Sequence, residues 1–175
     1  MRTKRTVRLE VPSEEVLDRL ARSPLPLPAS EENRSLEVFR DVYFDTPGGE
    51  LGLKPALVRL RHHADGRRVL LIDVREPRED AGPPTRHQAE AEVAQDEPEA
   101  VFHGDSEPAR LLRALIDPGR LAPAFEVETL RRLRSARVDG EAGLTVAYDT
   151  LTVRRGDLSG TLWEIAVRAE EGVDL

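Results

Sequence analysis

The sequence predicts an α+β chain built on a closed, eight-stranded antiparallel β-barrel with two or three flanking helices, in a single domain spanning residues 1–175. Three observations carry this. Short segments alternate apolar and polar residues. Turn dipeptides such as Asp65-Gly66 join consecutive segments. Only one long stretch has helical spacing. Short strands linked by tight turns favour an antiparallel sheet closed into a barrel over a parallel α/β fold.

Arg2–Val11 is the first predicted strand, with Val7, Leu9 and Val11 on one face and Thr6, Arg8 and Glu10 on the other. Pro12 ends it. Ser13 followed by Glu14 and Glu15 opens a short helix with Val16, Leu17 and Leu20, an N-cap with acids in the first turn. Pro24, Pro26 and Pro28 break regular structure, and Leu36–Thr46 resumes as a strand closing at Pro47-Gly48-Gly49. Ala56–His63 and Arg68–Arg75 form a hairpin about Asp65-Gly66. After a loop around Gly82-Pro83-Pro84, Arg86–Ala94 alternates again. Glu97–Ile116 is the helical stretch, with Gly104 its candidate break; Leu111, Leu112, Leu115 and Ile116 form an apolar stripe suited to core packing. Phe125–Val138 and Leu144–Val153 are predicted to pair about Asp139-Gly140, and Thr161–Arg168 is the last strand.

Composition narrows the function. The chain carries 26 Lys and Arg against 33 Asp and Glu, a formal charge of −7, which argues against general nucleic-acid binding. No apolar run reaches the length of a membrane helix, and the first residues lack the apolar core of a signal peptide, so the expected setting is the cytoplasm, away from membranes. The chain has no cysteine, which excludes disulfides, thiol nucleophiles and thiolate metal sites. Among the basic residues only Lys4 and Lys54 are lysines. Arginine presents a planar fork of donors that fits phosphate and carboxylate and keeps its charge.

Strand parity sorts these charges. Arg59, Arg61 and His63 oppose Val58 and Leu60; Arg86, Gln88, Glu90 and Glu92 oppose Ala89, Ala91 and Val93; Glu164 and Arg168 oppose Trp163, Ile165 and Val167. An antiparallel sheet with one wet face shows this alternation. So does a barrel whose charged face points inward, and a barrel of about eight strands holds one small ligand. Arginines and glutamates gathered inside it suit a polyphosphate and its divalent metal.

Several ordered pieces carry a family pattern: Tyr43-Phe44-Asp45-Thr46-Pro47, Leu57-Val58-Arg59-Leu60-Arg61, Arg86 with Glu90-Ala91-Glu92, Thr129-Leu130-Arg131-Arg132, Tyr148-Asp149-Thr150-Leu151, and Glu164. In this order the chain resembles the CYTH domain of the triphosphate tunnel metalloenzymes. The resemblance implies an eight-stranded antiparallel tunnel that binds triphosphate compounds, which many members hydrolyse with a divalent metal and some cyclise. It implies phosphate contacts from Arg59, Arg61, Arg131 and the neighbouring Arg132. It implies metal ligation by Glu90, Glu92 and Glu164, holding Mg²⁺ or Mn²⁺ in a weak site. It also implies a triphosphate or polyphosphate ligand, and a helical CHAD domain as a partner.

The departures are as informative. Where the family has Glu-x-Glu-x-Lys on its first strand, this chain reads Thr6-Val7-Arg8-Leu9-Glu10. The last acidic pair keeps Glu164 but has Ala166, an acid expected before Asp149 is Ala147, and a strand expected to bring lysine reads Leu71-Ile72-Asp73-Val74-Arg75. Either Arg8 and Arg75 replace the lost positive charge at phosphate, or the machinery has decayed. Two functions follow: an anion-binding domain with a degraded metal site and weak or no hydrolysis, or an active divalent-metal-dependent triphosphatase. The remaining features have plain readings. His62, His63, His87 and His103 lack metal-ligand spacing, Asp45 is a turn acid, Trp163 packs under a helix, and Gly48-Gly49 lacks the partners of a phosphate loop.

Overall fold

The computed structural model describes residues 5–25, 29–76, 85–95, 97–138 and 142–169. The predicted turns at Gly82-Pro83-Pro84 and Asp139-Gly140, the residues Lys4, Pro26 and Pro28, and the Arg86 side chain lie outside what is described. Eight antiparallel strands form one sheet: β1 (Arg5–Val11), β2 (Ala29–Asp45), β3 (Ala56–His63), β4 (Arg68–Glu76), β5 (Thr85–Glu92), β6 (Ala122–Val138), β7 (Ala142–Arg155) and β8 (Leu158–Ala169). The helices are α1 (Glu14–Arg22), α2 (Glu50–Leu53), α3 (Pro98–His103) and α4 (Glu107–Leu115), with a 3-10 turn at Pro118–Arg120. The hydrogen-bonded order is β1-β8-β7-β6-β2-β3-β4-β5. Among the described residues β1 and β5 are the two ends of that order, so the α+β antiparallel sheet is present but hydrogen bonds do not close it into the expected barrel.

The contacts divide the chain into two units. The first takes residues up to Val38, Glu128–Val153 and those from Ser159 on; the second takes Phe39–Val127 and Arg154–Leu158.

In the first unit α1 forms as its sequence dictates. The Ser13 hydroxyl accepts from Val16 N at 3.3 Å, Glu14 and Glu15 sit in the first turn, and Arg19 and Arg22 in the last. Its buried Leu17 and Ala21 pack on Val11, Ala136, Leu144, Val146, Tyr148 and Ile165, with Trp163 against the same cluster. Below α1 the first half of β2 is almost wholly exposed. Side chains of β6 hold it: Arg134 Nη2 donates to Glu31 at 2.6 Å and Arg137 Nε to Glu32 at 2.8 Å. Arg134 itself is buried and also donates to the carbonyls of Ala21 and Ser23, tying the end of α1 to the strand that follows. This explains why β2 begins at Ala29, well before the predicted Leu36: its order comes from cross-strand charge pairing, which leaves no apolar alternation to read. β7 and β8 also run further than predicted, up to a two-residue turn at Gly156-Asp157, within the second unit, whose glycine has φ 57°.

In the second unit register fixes the faces. Phe44, Val58, Ile72 and Ala89 form one row across β2–β5, and Val42, Leu60, Leu70 and Ala91 the next. Val101 and Phe102 of α3 and Ala109 and Leu112 of α4 cover this apolar face, with the Phe44 and Phe102 rings edge to face at 4.9 Å. The predicted helical stretch is two helices: Gly104 caps α3, and Ser106 starts α4 by accepting from Ala109 N. Arg113 spans the break, donating to the carbonyls of Phe102 and Gly104. Asp45 is the turn acid expected, accepting from Thr46 N at 2.7 Å and Leu51 N at 2.9 Å, and it organises the short α2.

Two stability predictions follow from these contacts. Leu112 is 0% exposed, so Leu112→Ala should cost about 2–5 kcal/mol of unfolding free energy in urea titrations. Hydrogen bonds from Arg34 and then Arg134 hold the Glu31 carboxyl at about 2, below its ordinary 4.5. A depressed carboxyl stabilises the fold fully above the unfolded value and loses that contribution as pH falls through the folded one. The stability deficit of Glu31→Gln should therefore be constant above pH 4.5 and should shrink toward zero as pH approaches 2.

Candidate functional site

The face of β2–β5 opposite α3 and α4 carries the charges of the second unit. Tyr43, Arg59, Leu71 and Glu90 share one row, and Asp41, Arg61, Val69 and Glu92 the next. Parity thus places Arg59, Arg61, Glu90 and Glu92 on one side of the sheet. Arg75 is exposed on the same face, opposite Arg86 in register.

Asp41 organises this face. It is 2% exposed. Arg61 closes on it with both arms of its fork, Nε to Oδ1 at 2.7 Å and Nη2 to Oδ2 at 2.8 Å. Arg59 Nη1 donates to Asp41 Oδ2 at 2.9 Å and to the Tyr43 hydroxyl at 3.3 Å. The Arg61 guanidinium lies 3.7 Å over the Phe39 ring, a cation–π contact that fixes its plane. Tyr43 is held in turn by Phe125, stacked at 4.4 Å. Two guanidiniums about one-fifth exposed thus share one buried carboxylate and leave a net positive charge. Arg59 Nη2 and Arg61 Nη1 have no partner among the described residues, and Arg59 Nε is buried without one. The pair retains donors for an anion on an immobilised frame.

In the first unit the face turned away from the α1 core repeats the device. Arg131 donates to the buried Asp149 through Nε at 2.9 Å and Nη2 at 2.7 Å. Those hydrogen bonds raise the Arg131 pKa above its ordinary value, against the opposing effect of burial. Arg8 Nη1 donates to Glu164. Arg132 takes the opposite course: as the next residue along β6 it points to the other face, where its Nη1 donates to Asp18 of α1 at 2.5 Å. Strand alternation thus separates Arg132 from Arg131, and one arm of its guanidinium is engaged by the helix.

The expected Mg²⁺ or Mn²⁺ centre draws its carboxylates from both units. Among the described residues no three His, Asp or Glu side chains come together in a way that could hold a metal ion. Glu90 and Glu92 are exposed in the second unit, and Glu164 is engaged by Arg8 in the first. In this arrangement the Glu164 carboxylate is matched to a guanidinium, which does not fit the role of a metal ligand. The sequence reading missed Asp41 and Asp149 as the groups that orient the arginines; an acid in register with an arginine on the neighbouring strand, as Asp41 is with Arg61, is the signal that identifies one.

This sheet, with paired arginines on its charged face, defines the class, and comparison supplies the family. The chain belongs to the CYTH domain family, whose model matches residues 7–174. Its fold is similar to that of HpAC1 from Hippeastrum, a proposed adenylyl cyclase whose dominant activity is that of a triphosphatase. The two are 19% identical, with a TM-score of 0.65 over 96% of this chain and 79% of that one. A proposed adenylate cyclase from Bacillus halodurans is similar at 14% identity and a TM-score of 0.57, over 99% of this chain and 81% of that one. No curated protein matches the chain in sequence.

Removing one partner of a buried ion pair leaves uncompensated charge and costs about 3–5 kcal/mol. Asp41→Ala should destabilise the chain on that scale in urea unfolding, whereas the charge-balanced Asp41→Asn/Arg59→Gln/Arg61→Gln variant should lose clearly less. Equal losses would show that the carboxylate does not support the arginines.

Proposed function

We propose that this CYTH domain binds a phosphate-rich anion, triphosphate or polyphosphate, through its arginines, with hydrolysis weak or absent. The observation that carries the reading is the pair Arg59 and Arg61, fixed by Asp41 with donors to spare. Guanidinium forks match phosphate oxygens, and anchoring them beforehand removes the entropy cost of ordering them at binding. Arg75 adds charge to the same face. In the first unit Arg131 and Arg8 are the proposed phosphate contacts; Arg132 is left out because it points to the opposite face, toward Asp18 of α1. The proposal includes the closed tunnel expected of the family, and its association with helical CHAD domains extends the reading to a partner that handles the same polyphosphate. Weak hydrolysis is inferred from the acids: phosphoryl transfer to water depends on neutralising charge and orienting the water in line, and Thr6, Arg8, Ala147 and Ala166 stand where the family pattern carries acids. The alternative, an active triphosphatase, draws its support from the activity of HpAC1.

Calorimetric titration with triphosphate and longer polyphosphate, with and without Mg²⁺ or Mn²⁺, tests binding, and phosphate release tests turnover. A charge-assisted hydrogen bond is worth about 1.5–3 kcal/mol, and each 1.4 kcal/mol is about tenfold in affinity. Arg59→Ala/Arg61→Ala should therefore weaken triphosphate binding by about tenfold or more, while Arg19→Ala/Arg110→Ala, on the exposed helix surfaces, leaves it unchanged. Equal losses from both would reduce binding to diffuse attraction. Robust phosphate release by the unaltered chain, abolished by Glu90→Gln, would establish the triphosphatase instead.

A further inference from the structure

On β1 and β8 the register sets Glu10 directly opposite Glu164, and Arg8 opposite Ala166. Paired residues share a face, and like charges set directly opposite repel. Arg8 relieves the clash. Its Nη1 reaches diagonally across the pair and donates to Glu164 Oε1. The Glu164 side chain is 24% exposed and that of Arg8 60%, so the carboxylate is the more enclosed partner of the pair. A second cation, Arg131, lies within electrostatic range of Glu164 while its own fork is closed on Asp149. A divalent ion on Glu164 would meet the Arg8 guanidinium at the same carboxylate, and displacing Arg8 would leave the two glutamates facing each other.

We propose that Arg8 is the resident cation of this face: it occupies the place on Glu164 that a divalent metal would take, and so makes anion binding by this chain independent of such an ion. The inference rests on the phosphate-binding reading above. A guanidinium bridges a carboxylate and a phosphate much as a metal does, because one N–H held by Glu164 leaves others to donate outward. Unlike a metal, it is tethered to the chain, brings one positive charge where Mg²⁺ brings two, and does not lower the pKa of a bound water. The substitution therefore favours holding the anion over cleaving it.

The test titrates inorganic tripolyphosphate into the full chain in a chelating buffer and again with Mn²⁺, and separately titrates Mn²⁺ alone, followed by electron paramagnetic resonance. Thermal melting checks that each variant is folded. The wild type should bind tripolyphosphate equally well in chelator and should take up no Mn²⁺ by itself. Arg8→Gln should weaken binding in chelator by about tenfold and should acquire Mn²⁺ uptake. Arg8→Lys should keep most of the affinity, and Arg168→Gln, on the same face of the same strand pair, should change it less than about twofold. Wild-type binding that vanishes in chelator and returns with Mn²⁺ would overturn the proposal, as would equal losses from Arg8→Gln and Arg168→Gln. Should the wild type bind no tripolyphosphate under any condition, the phosphate-binding reading fails, and Mn²⁺ alone decides this one: uptake by Arg8→Gln and not by the wild type upholds Arg8 as the cation, and any other pattern overturns it.

Discussion

A carboxylate withdrawn from water must be met by positive charge, and the charged faces of this chain are organised by that requirement. Asp41 and Asp149 are each almost wholly buried, and arginine forks close on each. The buried acid in turn dictates where the guanidinium plane lies, because a two-armed contact allows little rotation. Arginine suits this better than lysine: one side of its fork can be spent on the acid while the other stays available, whereas an ammonium is a point charge on a flexible stem. The near-absence of lysine is consistent with a chain that uses its cations as fixed structural pieces as well as for solubility.

The same residue type performs distinct tasks according to what it meets. Arg134 is buried and ties α1 to β2 through two carbonyls and Glu31. Arg113 bridges α3 and α4. Arg132 docks α1 on the sheet. Arg59 and Arg61 share an acid and keep donors in reserve. A run such as Arg131-Arg132-Leu133-Arg134 therefore holds side chains pointing to alternate faces with different purposes, and counting its charges says little about ligand binding.

The parts of the fold legible in the sequence were those driven by apolar burial. Val58 and Leu60, Ala89, and Leu112 lie in the core under the helices as their spacing requires, and Trp163 packs against the cluster beneath α1. What escaped was set by polar pairing. The early part of β2 is ordered by glutamates meeting arginines of β6, and the four-residue α2 exists because Asp45 gathers backbone N–H groups around a glycine turn. Neither leaves a periodic trace. At the candidate site, parity gave the shared side of Arg59, Arg61, Glu90 and Glu92, since neighbours in register must agree. It did not reveal Asp41 and Asp149 as their supports, because a buried acid and an exposed one look alike in sequence. Arg131 and Arg132 are neighbours along β6, and strand alternation sends the second toward α1, which the family pattern by itself does not express.

The pairing of β1 with β8 joins strands far apart in the sequence, with Arg5 opposite Ala169. As the polypeptide leaves the ribosome, Val7 and Leu9 emerge long before their partners Val167 and Ile165 exist. The core beneath α1 cannot be completed until β8 has been synthesised, because Ile165 belongs to it. The second unit gathers most of its strands and helices from one nearly continuous stretch of sequence and can consolidate earlier. Contacts this distant along the chain slow folding, and an apolar strand waiting with an unpaired edge is open to association with other chains. The order of birth thus leaves the strand that bears Arg8 and Glu10 waiting for a partner until β8 has been made.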